Sequence, residues 1–458
     1  MRSTKLLMFV AVMALVFTAC RKKDAVDPDV LVNFESAAQG ITASESSITI
    51  KVKLTSSTTT DIPVVLNLTE QGAVYGTDYT TVPAAVAGKI TLTVPTGNNE
   101  ASFTLTKVAG ALFDGDEKIV FDIYSSGLPV IIGATKQLTL SFAELVSTSA
   151  ATTVQGGGST YPNKVFIDLS ANRQTGVLRS TWDLGFYCGS DDYRVILNSS
   201  VNMMVKQINK NDLTMVTVAD TVGITSDLGF SQTAPAAAQL AYFDYPDGNL
   251  TKTAIAQISA TATDNKVYIV NRGTGVGTGA GSRGWKKIRI IRNASGGYTL
   301  QHADISATTF TTVDIAKDDA YYFKYASFET GAITIEPQKA KWDIAWTYFA
   351  NVTNFGGGEV PYMFQDIILQ NRGVSVAKVL VTTKAYDAFT LADISGVTWS
   401  TAQNTIGSGW RTTTPTAAVT TTTYYIIKDA DGNYYKLKFT ALTQGGERGY
   451  PAYQADKL

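Results

Sequence analysis

Much of the chain alternates between apolar and polar residues. Ser47-Ile48-Thr49-Ile50-Lys51-Val52-Lys53-Leu54 carries an apolar side chain at every second position, and so do Lys89–Val94 and Ser102–Thr106. Residues two apart share a face of a strand, whereas a helix needs a period near 3.6, so these runs predict half-buried β-strands. Thr and Val suit pleated positions, and Gly/Pro/Asn clusters between the runs supply turns. Six or seven such strands between residues 30 and 145, with few helical windows, predict a β-sandwich. The remainder is also strand-rich, so the expected fold class is all-β, an N-terminal β-sandwich followed by a larger all-β region.

That larger region repeats itself. Trp182-Asp183-Leu184-Gly185-Phe186 returns as Trp342-Asp343-Ile344-Ala345-Trp346, 160 residues later. Tyr193–Asn198 returns as Phe364–Asn371 with extra length. Lys266–Val270 answers Thr423–Ile427, and Trp285–Arg289 answers Tyr434–Lys438. From the Trp to the Tyr of the third block is 86 residues in one half (Trp182 to Tyr268) and 83 in the other (Trp342 to Tyr425). Four blocks in one order predict two related halves, 161–318 and 319–458. A Gly-rich linker, 146–160, is expected between them and the sandwich. The halves differ in a Gly-rich hairpin, Gly273–Gly284, and a Gly-rich insertion, Asn351–Met363. The pairs Trp182-Asp183 and Trp342-Asp343 read as fold landmarks: a large buried aromatic beside a carboxylate that accepts from local backbone donors.

The N-terminus reads as an address. Arg2 and Lys5 precede an apolar run, Leu6–Phe17, too short to span a bilayer comfortably, and small residues lead into Cys20. This resembles a bacterial lipoprotein signal, 1–19, with Cys20 acylated and 20–29 a lipid-anchored tether. No Asp stands directly after Cys20, so the expected location is the outer membrane, with the bilayer a partner through that cysteine alone. The 458 residues hold 38 Lys+Arg, 39 Asp+Glu, one His and two Cys. Charge is balanced and unclustered, which argues against a nucleic-acid partner. One His rules out a paired-His site, and two Cys rule out a disulfide framework or a Cys-rich zinc site.

Residues 30–145 resemble a Calx-β-like module through Ser44-Glu45, Tyr75-Gly76-Thr77-Asp78-Tyr79, the Pro95-Thr96-Gly97 turn and Asp116-Glu117. Some members of that family bind calcium, and the carboxylates available here are Glu45, Asp78, Asp114, Asp116 and Glu117. Calcium takes six to eight oxygens, so a spacer with acidic turns is the competing reading.

Residues 160–458 resemble the HmuY-like family of haem-binding lipoproteins. The resemblance rests on Phe166-Ile167-Asp168-Leu169-Ser170, both Trp-Asp blocks, the Leu197-Asn198 strand end and Ser327-Phe328-Glu329-Thr330-Gly331. It rests further on Asp431–Leu437 and Gly446-Glu447-Arg448-Gly449-Tyr450-Pro451. It implies capture of haem or porphyrin and delivery to an outer-membrane haem receptor, with iron held by a His pair or a Met pair. His302 is alone, so the candidate haem ligands are Met203, Met204 and Met363, with Met215 the fourth methionine of the mature chain. Core filling is the competing role of each. Adjacent strand residues face opposite ways, so Met203 and Met204 could not serve one pocket.

No Walker loop, GxSxG elbow, HExxH or CxxC occurs, and the expectation is a binding protein and not an enzyme. The Gly273–Gly279 string lies between strands, where a dinucleotide site does not form. Cys188 reads as a buried free thiol. The alternative to haem is a surface lipoprotein binding glycan or protein, with Trp399, Trp410, Tyr434 and Tyr435 as stacking platforms.

Overall fold

The computed structural model describes residues 29–458 except 43–44, 110, 112, 114–116, 143–146, 171 and 278, and omits the side chains of 147–150. The 1–19 signal, Cys20, nearly all of the tether, Asp114 and Asp116 lie outside the described residues.

The N-terminal module is a sandwich of two five-stranded sheets. Ile48, Ile50, Val52 and Leu54 point inward from Ser47–Leu54 while its other residues face out, as alternation demands. Ten strands form where six or seven were expected. Two of the additions, Ala38–Gly40 and Ile131–Ile132, hold three and two residues, too few to show a period. The first strand changes sheet, with Leu31–Phe34 pairing in one and Ala38–Gly40 in the other, which ties the two layers together at the chain's entry. Each fully buried Ile, Leu or Phe of this core contributes about 1.5–3 kcal/mol.

Within the expected linker, 146–160, the described residues 147–160 are not free. Ser147–Thr153 pairs antiparallel with Ala452–Lys457 at the edge of a five-stranded sheet. Gly156 is pressed against the Trp346 ring and the Gly449 carbonyl.

Strand pairing also divides the larger region differently from 161–318 and 319–458. One half is continuous. Its four-stranded sheet runs Val195–Leu197, Leu184–Tyr187, Phe323–Ser327, Gly331–Ile333, and its five-stranded sheet runs Met204–Ile208, Val267–Asn271, Trp285–Arg292, Tyr298–Ala303, Thr311–Ile315. The other half is built from both flanks. Its four-stranded sheet runs Glu359–Gln370, Ile344–Asn354, Asn163–Asp168, Arg173–Leu178, and its five-stranded sheet runs Ser375–Leu380, Thr423–Lys428, Tyr434–Ala441, Ala452–Lys457, Ser147–Thr153. Written in this order the sheets correspond strand for strand. The strands that close the first half, 311–333, match those that open the second, 147–178. The halves are therefore circular permutants, one inserted into the other between Leu178 and Ile344. The repeated sequence blocks kept a common order because the permutation point lies outside all four.

The Trp-Asp blocks are the hinge posts of this symmetry. The Asp183 amide donates to Ala326 O and the Asp343 amide to Ile167 O, at 2.9 and 2.8 Å. The Asp183 carboxylate accepts from Phe328 N and the Asp343 carboxylate from Leu169 N, both at 2.8 Å. Asn198 Nδ2 donates to the carbonyls of Arg179 and Trp182, and Asn371 Nδ2 to those of Lys339 and Trp342. Each indole meets its own half's ring edge-on, Trp182 on Tyr325 at 4.8 Å and Trp342 on Phe166 at 4.9 Å. These four rings, with Leu250, Phe323, Ile335 and Ala345, form the apolar layer between the halves. Strand Asn163–Asp168 is consequently buried on both faces, Val165 and Ile167 into its own core and Phe166 into the seam.

The longer second-half counterpart of Tyr193–Asn198 contains a bulge. Thr347 pairs with Ile367 and Phe349 with Phe364, which leaves Asp366 off the ladder at φ +54°. Its carboxylate is fully buried and accepts from Trp346 Nε1 at 3.2 Å and from Arg448.

The sandwich is seated on the permuted half through Glu45. Glu45 pairs with Arg173 at 2.8 Å and Lys341 at 3.2 Å, and accepts from Thr42 N at 2.8 Å. Burial raises the Glu45 pKa, but Arg173, the Thr42 amide and Lys341 outweigh it and hold the carboxyl below its ordinary value. A carboxyl depressed in the folded state stabilises fully above its unfolded pKa, and that stability is lost as pH falls through the folded value. Urea midpoints should therefore fall more steeply between about pH 5 and pH 3 in the wild type than in Glu45→Gln. Equal slopes would show that this seat does not hold the sandwich.

Candidate functional site between the two halves

The seam is not filled throughout. A cavity of about 70 Å³ lies in it, open to solvent along one side. The inserted half supplies Trp182, Ile196, Leu250, Phe323 and Tyr325 as largely apolar wall, and Phe349 and Leu369 face them from the permuted half. The rim is polar, with Asn249 exposed and Tyr245, Thr253 and Gln403 half-buried.

Three charged side chains enter this lining. Asp244 staples the loop before Leu250 to an edge strand, accepting from Leu197 N at 2.6 Å and Ala254 N at 2.9 Å. Burial pushes its carboxyl up to about 7, with those two amides opposing. Arg372 follows the Asn371 post and donates to Gly248 O at 2.7 Å. Lys164 stands at the second position of Asn163–Asp168, its ammonium 4.8 Å from the Phe166 ring. Burial pulls that ammonium down to about 8, with Glu336 pulling the other way. Glu336 itself is buried behind the wall, accepting from Phe323 N at 2.8 Å and from the Tyr325 hydroxyl at 2.9 Å. Burial raises it to about 7. Lys164 has no hydrogen-bond acceptor or ion-pair partner among the described residues. Nor does the Trp182 indole N–H, a feature shared with Trp342. An ammonium with no hydrogen bond or ion pair in a largely apolar wall is costly, which makes this seam the candidate ligand site.

The methionines lie elsewhere. Met203 is enclosed in the core of the inserted half. Met204 faces the other way and shares a second core with Met363, Leu228, Phe243 and Ile269. All three are sealed by apolar neighbours, whereas Met215 is exposed. His302 is buried with its ring 5.2 Å from Phe328, and burial lowers its pKa. Cys188 is a buried free thiol whose pKa burial raises.

Two of the four expected stacking platforms are core residues. Trp410 is 1% exposed, donates its indole N–H to Asp366 O and stacks on Phe439 at 4.3 Å. Tyr435 points inward because strand Tyr434–Ala441 alternates, leaving Tyr434 half-buried beside Trp399 at 6.0 Å. In the sandwich, Glu45 is committed to Arg173 and Lys341, Asp78 accepts from Val74 N at 2.8 Å, and Glu117 is buried. Among the described residues, no group of three or more His, Cys, Asp or Glu is spaced to hold a metal ion.

Fold and seam together define a β-sandwich module carrying a duplicated, permuted all-β domain. The chain belongs to the HmuY family: the family described as HmuY protein matches residues 160–454. No curated protein matches the chain. Among solved structures, the apo form of the Calx CBD1 domain aligns at 18% identity over 25% of this chain and 97% of that one, with a TM-score of 0.21. A two-domain protein of unknown function from Bacteroides fragilis aligns at 15% identity over 42% of this chain and 75% of that one, with a TM-score of 0.19.

Proposed function

We propose that this protein is a non-enzymatic, outer-membrane lipoprotein, anchored through Cys20, that takes a small ligand into the cavity between its halves and hands it to a transporter. The observation that carries the ligand site is the unpaired Lys164 ammonium in a largely apolar seam. The anchor and the transporter rest on the signal-like N-terminus and on family membership. The sandwich then serves as a spacer that lifts the seam from the membrane. Gln403 sits on the rim, and its side chain makes no hydrogen bond among the described residues, so Gln403→Trp should close the cavity without unfolding the chain. A small-molecule thermal-shift screen should give ligands that raise the wild-type midpoint and fail on Gln403→Trp. Ligands that stabilise both proteins equally would place binding elsewhere.

The second reading is haem, for which Met204 and Met363 share one core, each from a different half. Haemin titration of the mature chain would then give a saturable Soret change, lost in Met204→Ala and in Met363→Ala, with Met203→Ala unaffected. No Soret change in oxidised or reduced protein would remove haem from consideration.

A further inference from the structure

On the reading of the seam cavity as the ligand site, we infer that its ligand is a small organic acid, with the acid group read by Lys164 and Arg372 and a ring laid against Trp182 and Tyr325. Two cations line one small cavity, and neither is paired with a carboxylate among the described residues. Arg372 spends one nitrogen on Gly248 O, and its guanidinium lies 5.3 Å from the Tyr187 ring, so its remaining N–H groups are available. Lys164 spends none.

The acids nearby do not cancel this charge. Both oxygens of Asp244 accept backbone amides, and those of Glu336 accept the Phe323 amide and the Tyr325 hydroxyl. These bonds aim both carboxyls at their own loops, and burial biases both toward the neutral form. The lining is therefore net cationic while its walls are aromatic and aliphatic. Such a site favours a carboxylate on a compact ring over a bare ion, because inorganic anions gain nothing from Trp182, Phe323 and Tyr325. The Trp182 N–H adds a donor still lacking an acceptor. The cavity holds an acid group and one edge of a ring, and Asn249 and Gln403 at its open rim suit the ring hydroxyls left outside, so an acidic monosaccharide is the simplest probe.

The test is calorimetric titration of the full mature chain with D-galacturonate, D-galactose and inorganic phosphate. Saturable galacturonate binding is expected, with galactose and phosphate each weaker by at least about tenfold. Lys164→Gln and Arg372→Gln should each weaken galacturonate by at least about tenfold, and Gln403→Trp should abolish it. Lys164 makes no hydrogen bond or ion pair among the described residues and has only its approach to the Phe166 ring to lose, so its Gln variant should melt within a few degrees of the wild type. Galactose binding as tightly as galacturonate, or unchanged affinity in both charge variants, would overturn the acid assignment. So would phosphate binding in place of galacturonate, or no binding of either anion. In each of those cases a neutral ligand from the screen that is lost in Gln403→Trp would still leave the cavity as the binding site.

Discussion

Replacing Asp183 by Asn is expected to cost about 3–5 kcal/mol of stability, while the same change at its repeat counterpart Asp343 costs under about 1 kcal/mol. The backbone roles of the two are identical, each carboxylate accepting one amide across the seam end of its sheet. Their surroundings are opposite. Asp183 is fully buried between two guanidiniums, with Arg272 at 2.9 Å and Arg283 at 2.9 Å. Removing its charge strands two largely buried cations, and only Arg272 has another carboxylate, the exposed Glu329 at 3.1 Å. At the position matching Arg272 the other half has Asp429. Burial first, then Asp168, with Asp429 and Asp431 adding to it, raises the Asp343 pKa well above its ordinary value. An amide there keeps the acceptor for Leu169 N and removes an ionisable group whose charged form burial and Asp168 disfavour. Chemical-denaturation midpoints of the two Asn variants test this, and equal losses would mean that the shared backbone role, not the charge environment, governs both sites.

Gly156→Ala should destabilise the chain by about 1–3 kcal/mol, and Gly357→Ala by less than about 0.5 kcal/mol. A Cβ on Gly156 would stand 2.2 Å from the Gly449 carbonyl oxygen and 2.3 Å from the Trp346 ring. Neither neighbour can yield easily: one is backbone, and the other is a fully buried indole held by Asp366. A Cβ on Gly357, at the tip of the long hairpin, meets nothing within 4 Å. Thermal melts of both variants distinguish a packed strand entry from a linker. A Gly156→Ala melt matching wild type would return 146–160 to the status of a tether.

What was readable in the sequence was what depends on local period and local repetition. Ser47–Leu54 and Lys89–Val94 announced their inward faces because each is buried on one side only. Asn163–Asp168 did not, because it is buried on both sides and alternation disappears. The duplication was visible, but its permutation was not, since sequence blocks record order and carry no pairing. A Gly-rich string reads as a linker whether its glycines are free or, as at Gly156, demanded by close approach. The methionines and aromatics were visible as chemistry, yet only the pleat determines that Tyr434 faces out and Tyr435 in. The cavity was hidden for a topological reason: Lys164, Trp182, Asp244, Phe323 and Arg372 come from five distant segments that only the insertion brings together.

The most direct measurement is hydrogen exchange of the mature chain with and without a saturating ligand from the screen. Added protection is expected in 195–200, 244–254 and 323–325, the segments that line the seam, with the Met204 and Met363 core unchanged. Protection confined to the strands carrying Met204 and Met363, or to the N-terminal sandwich, with the seam segments exchanging as before, would contradict a binding site between the halves.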